Sequence, residues 1–83
     1  MHTVVAVRAL EPFRVWLRFA DRTEGVADLA DLFERGGVFS PLRDAEQFAR
    51  VRLVPSFGTI EWPGGVDLDP DALYERVRAG ARP

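Results

Sequence analysis

Phe13-Arg14-Val15-Trp16-Leu17-Arg18-Phe19 alternates without a break: Phe13, Val15, Leu17 and Phe19 fall on one side, and Arg14, Trp16 and Arg18 on the other. A period of two is the pattern of a strand with one buried and one wet face, because successive side chains point to opposite sides. Upstream, Thr3 to Ala9 is rich in valine, whose β-branching suits a strand. Glu11-Pro12 ends that segment, since proline has no N–H and a fixed φ. Downstream, Ala20-Asp21-Arg22-Thr23 is a polar turn leading into Glu24 to Leu29. The first three segments therefore predict an antiparallel meander.

The period then changes. Asp28 or Asp31 can cap a helical turn carrying Leu29, Leu32 and Phe33, with Gly36-Gly37 ending it. Ser40-Pro41 has the form of an N-cap followed by proline at the first helical position. Leu42, Ala45, Phe48 and Ala49 follow at helical spacing, which predicts a short amphipathic helix over 41–49. Val51 to Val54 and Gly58 to Trp62 return to strand, stopped by Pro55-Ser56 and by the Pro63-Gly64-Gly65 turn. Asp69-Pro70 opens a last helix to about Ala79, expected to bury Ala72, Leu73 and Val77 with Tyr74 beside them, and residues 80–83 are expected to fray. The order βββ-α-ββ-α predicts an α+β domain: a small, mostly antiparallel sheet with two short helices packed on it.

Eighty-three residues are enough for one domain, here 1–83 with an ordered core of about 3–79. With 47% hydrophobic and 29% charged residues the mixture is globular, well away from disorder. The net charge of −2 argues against adhesion to nucleic acid by bulk electrostatics. No apolar run reaches the ~20 residues of a membrane span, and the N-terminus lacks the layout of a signal peptide, so a cytoplasmic setting is expected. Without cysteine there is no disulfide, thiolate nucleophile or thiolate metal site. All 11 basic side chains are arginine, and Lys and Asn are absent. Codon usage in a G/C-rich genome accounts for that bias.

Chemistry-bearing constellations are sparse. Asp67-Leu68-Asp69-Pro70-Asp71 opens like a calcium loop, but Ala72 stands where the loop needs glycine and Arg78 where it needs its bidentate acid. Asp69 as a helix cap and Asp71 in the first turn explain the run better. His2 is the one histidine, and its terminal position promises no fixed acid partner. Ser40 reads as a cap and Ser56 as part of a turn. Glu61 with Asp67 remains a carboxylate pair open to acid–base work, in a chain with little room for a pocket of ~300 Å3. The expectation is a protein that is not an enzyme, with no cofactor and no metal.

The surface that stands out is the wet face of the second strand, with Trp16 between Arg14 and Arg18 and Arg8 as a possible flank. Three environments fit it. The tryptophan can be covered by its own domain, for instance by the C-terminal helix, with arginines stacked on its ring. It can anchor a protein interface, where Trp and Arg are enriched. Or it can stack a base of single-stranded nucleic acid while the arginines hold phosphates. Trp62, by contrast, alternates with Glu61 and is expected to pack inward.

Three stretches together resemble the domain of unknown function 2442 family of small bacterial proteins. They are Phe13 to Asp28, then Gly37-Val38-Phe39-Ser40-Pro41-Leu42-Arg43-Asp44 on to Phe48 and Val51, and Gly58-Thr59-Ile60-Glu61-Trp62-Pro63-Gly64-Gly65-Val66-Asp67-Leu68-Asp69-Pro70 with Leu73-Tyr74. Members often have asparagine where Gly64 stands, and both residues tolerate positive φ. The resemblance implies a small α+β domain in the bacterial cytoplasm and carries no catalytic residues. It also implies a likeness to the smaller partner of toxin–antitoxin-like gene pairs, some members carrying a helix-turn-helix alongside. No such module is expected beyond residue 79, so any DNA contact is expected from the sheet or from a partner. The expected activity is binding to a protein partner, or homodimerisation, through Arg14, Trp16 and Arg18 or an open sheet edge. Nucleic-acid or small-molecule binding is the alternative.

Overall fold

Valine-rich β1 (Val4–Leu10), the alternating β2 (Arg14–Phe19) and β3 (Glu24–Asp28) form the expected antiparallel meander in a computed structural model that describes residues 2–34 and 37–80. Val15, Leu17 and Phe19 are buried, and Arg14 and Arg18 are exposed. Phe13 keeps its inward position but belongs to the β1–β2 loop, after a cis Glu11–Pro12 bond and at φ 54°. Its ring meets Phe33 and Phe48 edge-on at 5.2 and 5.8 Å. The β2–β3 turn is held by the Asp21 carboxylate, which accepts the Thr23 N–H at 2.9 Å.

The chain continues through α1 (Ala30–Glu34), a 3-10 helix (Gly37–Arg43) and α2 (Ala45–Phe48). The single helix expected over 41–49 is thus split. Pro41 lies inside the 3-10 helix, and the N-cap of α2 is Asp44, whose carboxylate accepts the Glu46 N–H at 2.9 Å, rather than Ser40. Leu42 and Phe48 are buried as expected, whereas Ala45 and Ala49 face solvent. At the end of α1 the Arg43 guanidinium donates to Phe33 O at 3.0 Å and Glu34 O at 3.4 Å, satisfying carbonyls that the helix leaves unpaired. Of the expected glycine stop, Gly36 lies outside the described residues, as do residues 81–83 of the expected frayed tail.

The later strands do not join the first sheet. β4 (Arg52–Val54), β5 (Thr59–Trp62) and β6 (Val66–Asp67) make a second three-stranded antiparallel sheet, and β6 is a strand that the sequence pattern does not announce. The class is α+β, with two small sheets where one was expected. Ile60 and Trp62 are fully buried between them, and the Trp62 indole N–H donates to Phe48 O at 2.8 Å. Arg52 and Glu61 face each other across β4–β5 and bond at 2.7 and 3.1 Å.

The last helix, α3 (Pro70–Gly80), begins with Asp69 accepting the Asp71 N–H at 3.4 Å. Leu73, Tyr74 and Val77 are buried on it at i, i+1 and i+4, while Ala72, expected inside, is exposed. The helix packs on β3, where a Cβ on Gly25 would come within 2.9 Å of Val77 Cγ1. Arg76 locks this arrangement by donating to Asp28 O at 2.9 Å and, in fork geometry, to Asp31 at 2.7 and 2.9 Å.

Two changes test this packing. Trp62→Phe keeps most of the buried ring but removes the shorter of two donors to the Phe48 carbonyl, which keeps the Val51 N–H at 3.3 Å, and should cost about 0.5–1.5 kcal/mol in urea unfolding. Gly25→Ala pushes a methyl into Val77 and should cost about 1–3 kcal/mol in the same measurement.

Candidate interaction surface

The register of the meander turns the wet face into a lattice. The β2–β3 turn sets Arg14 opposite Asp28, Trp16 opposite Val26 and Arg18 opposite Glu24. On the other side Leu10, Arg8 and Ala6 stand opposite Arg14, Trp16 and Arg18. The predicted residues Arg14, Trp16 and Arg18 are therefore together on one face, with Arg8 directly beside Trp16.

Their charges are largely answered from within. Arg18 Nε lies 3.0 Å from Glu24 Oε2, and Arg14 Nε lies 3.7 Å from Asp28 Oδ2. Both pairs are about half exposed, so each stabilises the fold by no more than about 1 kcal/mol. Their larger effect is to neutralise two of the three guanidiniums on the face. Arg8 has no ion pair among the described residues. The Arg18 guanidinium also rests 5.5 Å from the Trp16 ring centroid, a cation–π contact.

Trp16 is half-buried. The α3 helix does not cover it, because Leu73, Tyr74 and Val77 pack on the core side of the sheet. A shallow hollow of about 400 Å3 lies along Arg8, Leu10, Trp16 and Arg18. Val26, across from Trp16, is 40% exposed and extends the apolar centre. The face is thus an apolar strip between two neutral ion pairs, with one uncompensated cation at its β1 side. The pairing of Arg18 with Glu24 and Arg14 with Asp28 follows from centring a hairpin on Ala20–Thr23, a signal present in the sequence.

A second polar cluster was not foreseen. His2 has a fixed acid partner: its backbone N–H and its Nδ1 lie 2.8 and 2.9 Å from Asp71 Oδ1. Its ring stacks on Tyr74 with centroids 3.6 Å apart. The Tyr74 hydroxyl donates to Asp21 Oδ2 at 2.7 Å and meets Thr23 Oγ1 at 3.1 Å. No local pattern could reveal contacts that span 69 and 53 positions. The cluster ties the start of the chain, the β2–β3 turn and α3 together.

The remaining candidates are dispersed. Glu61 and Asp67 are opposite each other across β5–β6, but Glu61 is engaged by Arg52 and Asp69 caps α3. Among the described residues, no group of three or more His, Asp or Glu side chains could hold a metal ion, and no helix is long and apolar enough to cross a membrane.

An α+β domain of two small sheets with an open, charge-balanced face is the class these features define. The chain belongs to the family described as Protein of unknown function (DUF2442), whose model matches residues 4–79. No curated protein matches it. Among solved structures it is similar to the "Putative DNA Binding Protein NE0471" of Nitrosomonas europaea ATCC 19718, with 26% identity and a TM-score of 0.85. That match covers 98% of this chain and 52% of the other, so the chain spans about half the length of its structural relative.

The cluster predicts an acid-limb behaviour. The Thr23 N–H and then the Tyr74 hydroxyl hold Asp21 below its ordinary value of 3.8, and the His2 ring and then its N–H do the same for Asp71. A carboxylate depressed in the folded state stabilises it above the unfolded value, and that stability is lost as pH falls through the folded one. The urea midpoint should therefore decline below about pH 4 more steeply in the parent than in an Asp21→Asn, Asp71→Asn double variant.

Proposed function

We propose that the chain is a non-catalytic cytoplasmic module that binds a protein partner through the face of Trp16, Arg14 and Arg18, in the manner of the smaller member of a toxin–antitoxin-like pair. One observation carries the reading: Arg14 and Arg18 are each neutralised by an acid across the strand, leaving Trp16, Val26 and Leu10 as an apolar centre beside Arg8. A half-buried tryptophan flanked along its strand by two ion pairs has the composition of an interface centre with a polar rim. Phosphate recognition needs uncompensated cations, and on this face Arg8 alone lacks an ion pair among the described residues.

Nucleic-acid binding is the second reading, favoured by the name of the Nitrosomonas europaea relative. The portion of that protein outside the match leaves its DNA-binding role open to either half.

The two readings separate in one experiment. The tagged chain is isolated from its source cell with nuclease present, and the stoichiometric partner is identified and then remade in pure form. Trp16→Ala with Arg18→Ala should weaken that complex by about 2 kcal/mol or more while unfolding as the parent does. Association with oligonucleotides that falls steeply with added salt, and survives in place of any protein complex, would establish the second reading instead.

A further inference from the structure

The two long edges of the first sheet differ. On β3 the outward carbonyl of Asp28 accepts from Arg76, and the Val26 carbonyl lies against the end of α3, where a Cβ on Gly80 would sit 3.1 Å from it. In an antiparallel ladder a residue's N–H and C=O point to the same side, and the side alternates along the strand. Asp28 and Val26 point away from β2, so Arg14 and Trp16 point toward β1, and Arg8 exchanges ladder bonds with Trp16. Val7 and Ala9 must then direct their N–H and C=O groups outward. Beyond Val4, whose N–H donates to Gly58 O, β1 has no backbone partner other than β2 among the described residues.

Natural edge strands are blunted by charged side chains, proline, bulges or a covering element. The stretch Ala6 to Leu10 carries one such device, the charge of Arg8, and neither proline nor bulge, the bulge of β1 lying between Val4 and Ala6; β4 and β5 approach β1 without pairing to it. Beside it runs a groove of about 400 Å3 between Ala9 and Leu10 on one side and Ala45, Phe48 and Ala49 on the other. The small alanines leave room for a main chain. This also gives a role to the apolar face of α2 that stays uncovered.

We infer that the open edge of β1 receives an extended segment of a partner protein as an added strand, with a carboxylate beside Arg8 and an apolar side chain in the groove. Charge selects this occupant. Among the described residues, Arg8 is the guanidinium of the face without an ion pair, and a residue across from it on an added strand would stand beside it on the wet face. The groove is apolar, with Glu11 as its one ionisable lining residue, and so rejects a second acid. A second copy is a poorer match, because Arg8 is the sole charge that β1 can offer. The inference concerns an edge, and does not depend on the Trp16 face.

The test uses the full chain and soluble extended peptides that alternate valine with glutamate, with serine or with arginine. Binding is read from the amide resonances of Val7 and Ala9. The glutamate peptide should shift both resonances and bind at least about tenfold more tightly than the arginine peptide. Ala9→Pro removes an outward N–H and spares the β2 ladder, so it should abolish binding with the fold kept. Ala49→Leu, which fills the groove, should weaken binding independently. Trp16→Ala should leave it unchanged, so failure of the face and failure of the edge are told apart. Absence of binding, equal binding of glutamate and arginine peptides, or full binding by Ala9→Pro would overturn the inference. So would self-association that Ala9→Pro abolishes, which would assign the edge to a second copy.

Discussion

The hydrogen bond from the Trp62 indole to the Phe48 carbonyl is what the rest of the molecule is arranged around. A domain of this size has little apolar surface to bury, and it concentrates much of that surface in one aromatic cluster. Phe13, Phe33, Phe48 and Trp62 meet largely edge-on, at centroid separations of 5.2 to 6.3 Å. Phe13 comes from the β1–β2 loop, Phe33 from α1, Phe48 from α2 and Trp62 from the second sheet. The indole N–H is the one strong donor in that cluster, and it selects the carbonyl at the end of α2. The second sheet is positioned by this bond and by the Val4 N–H, which donates to Gly58 O at 2.8 Å, without a strand ladder to the first sheet.

That arrangement explains what the amino-acid pattern disclosed. The alternation of Phe13 to Phe19 and the inward placement of Trp62 follow from side-chain polarity, which a strand expresses directly. The division into two sheets does not, because β4, β5 and β6 satisfy one another and nothing in their sequences specifies which outer neighbour they lack. Around Pro41 two caps compete: Ser40-Pro41 has a good helix start, and so does Asp44. The structure uses Asp44, since a 3-10 turn before it delivers Leu42 and Phe48 to the core together. Ala45 and Ala49 are left outside by that choice. Helical spacing alone predicted the opposite.

The surface was legible in composition and not in electrostatics. Arg14, Trp16 and Arg18 could be placed on one strand face from sequence, yet their charge balance depends on Glu24 and Asp28 arriving from the next strand. A stripe that looks cationic in one dimension is close to neutral in three. His2 shows the reverse case: a residue with no local context becomes engaged with Asp71 and Tyr74, because β1 begins beside α3.

The contacts of Arg76 have a wider consequence. By taking the Asp28 carbonyl and gripping Asp31, this side chain holds α3 along one border of the first sheet and closes it. A sheet open at both borders can template growth without limit, as fibrils do. With one border closed, addition at the other produces a discrete particle and stops. A strand added to β1 would therefore end the sheet there, with no route to polymerisation through the border that α3 covers.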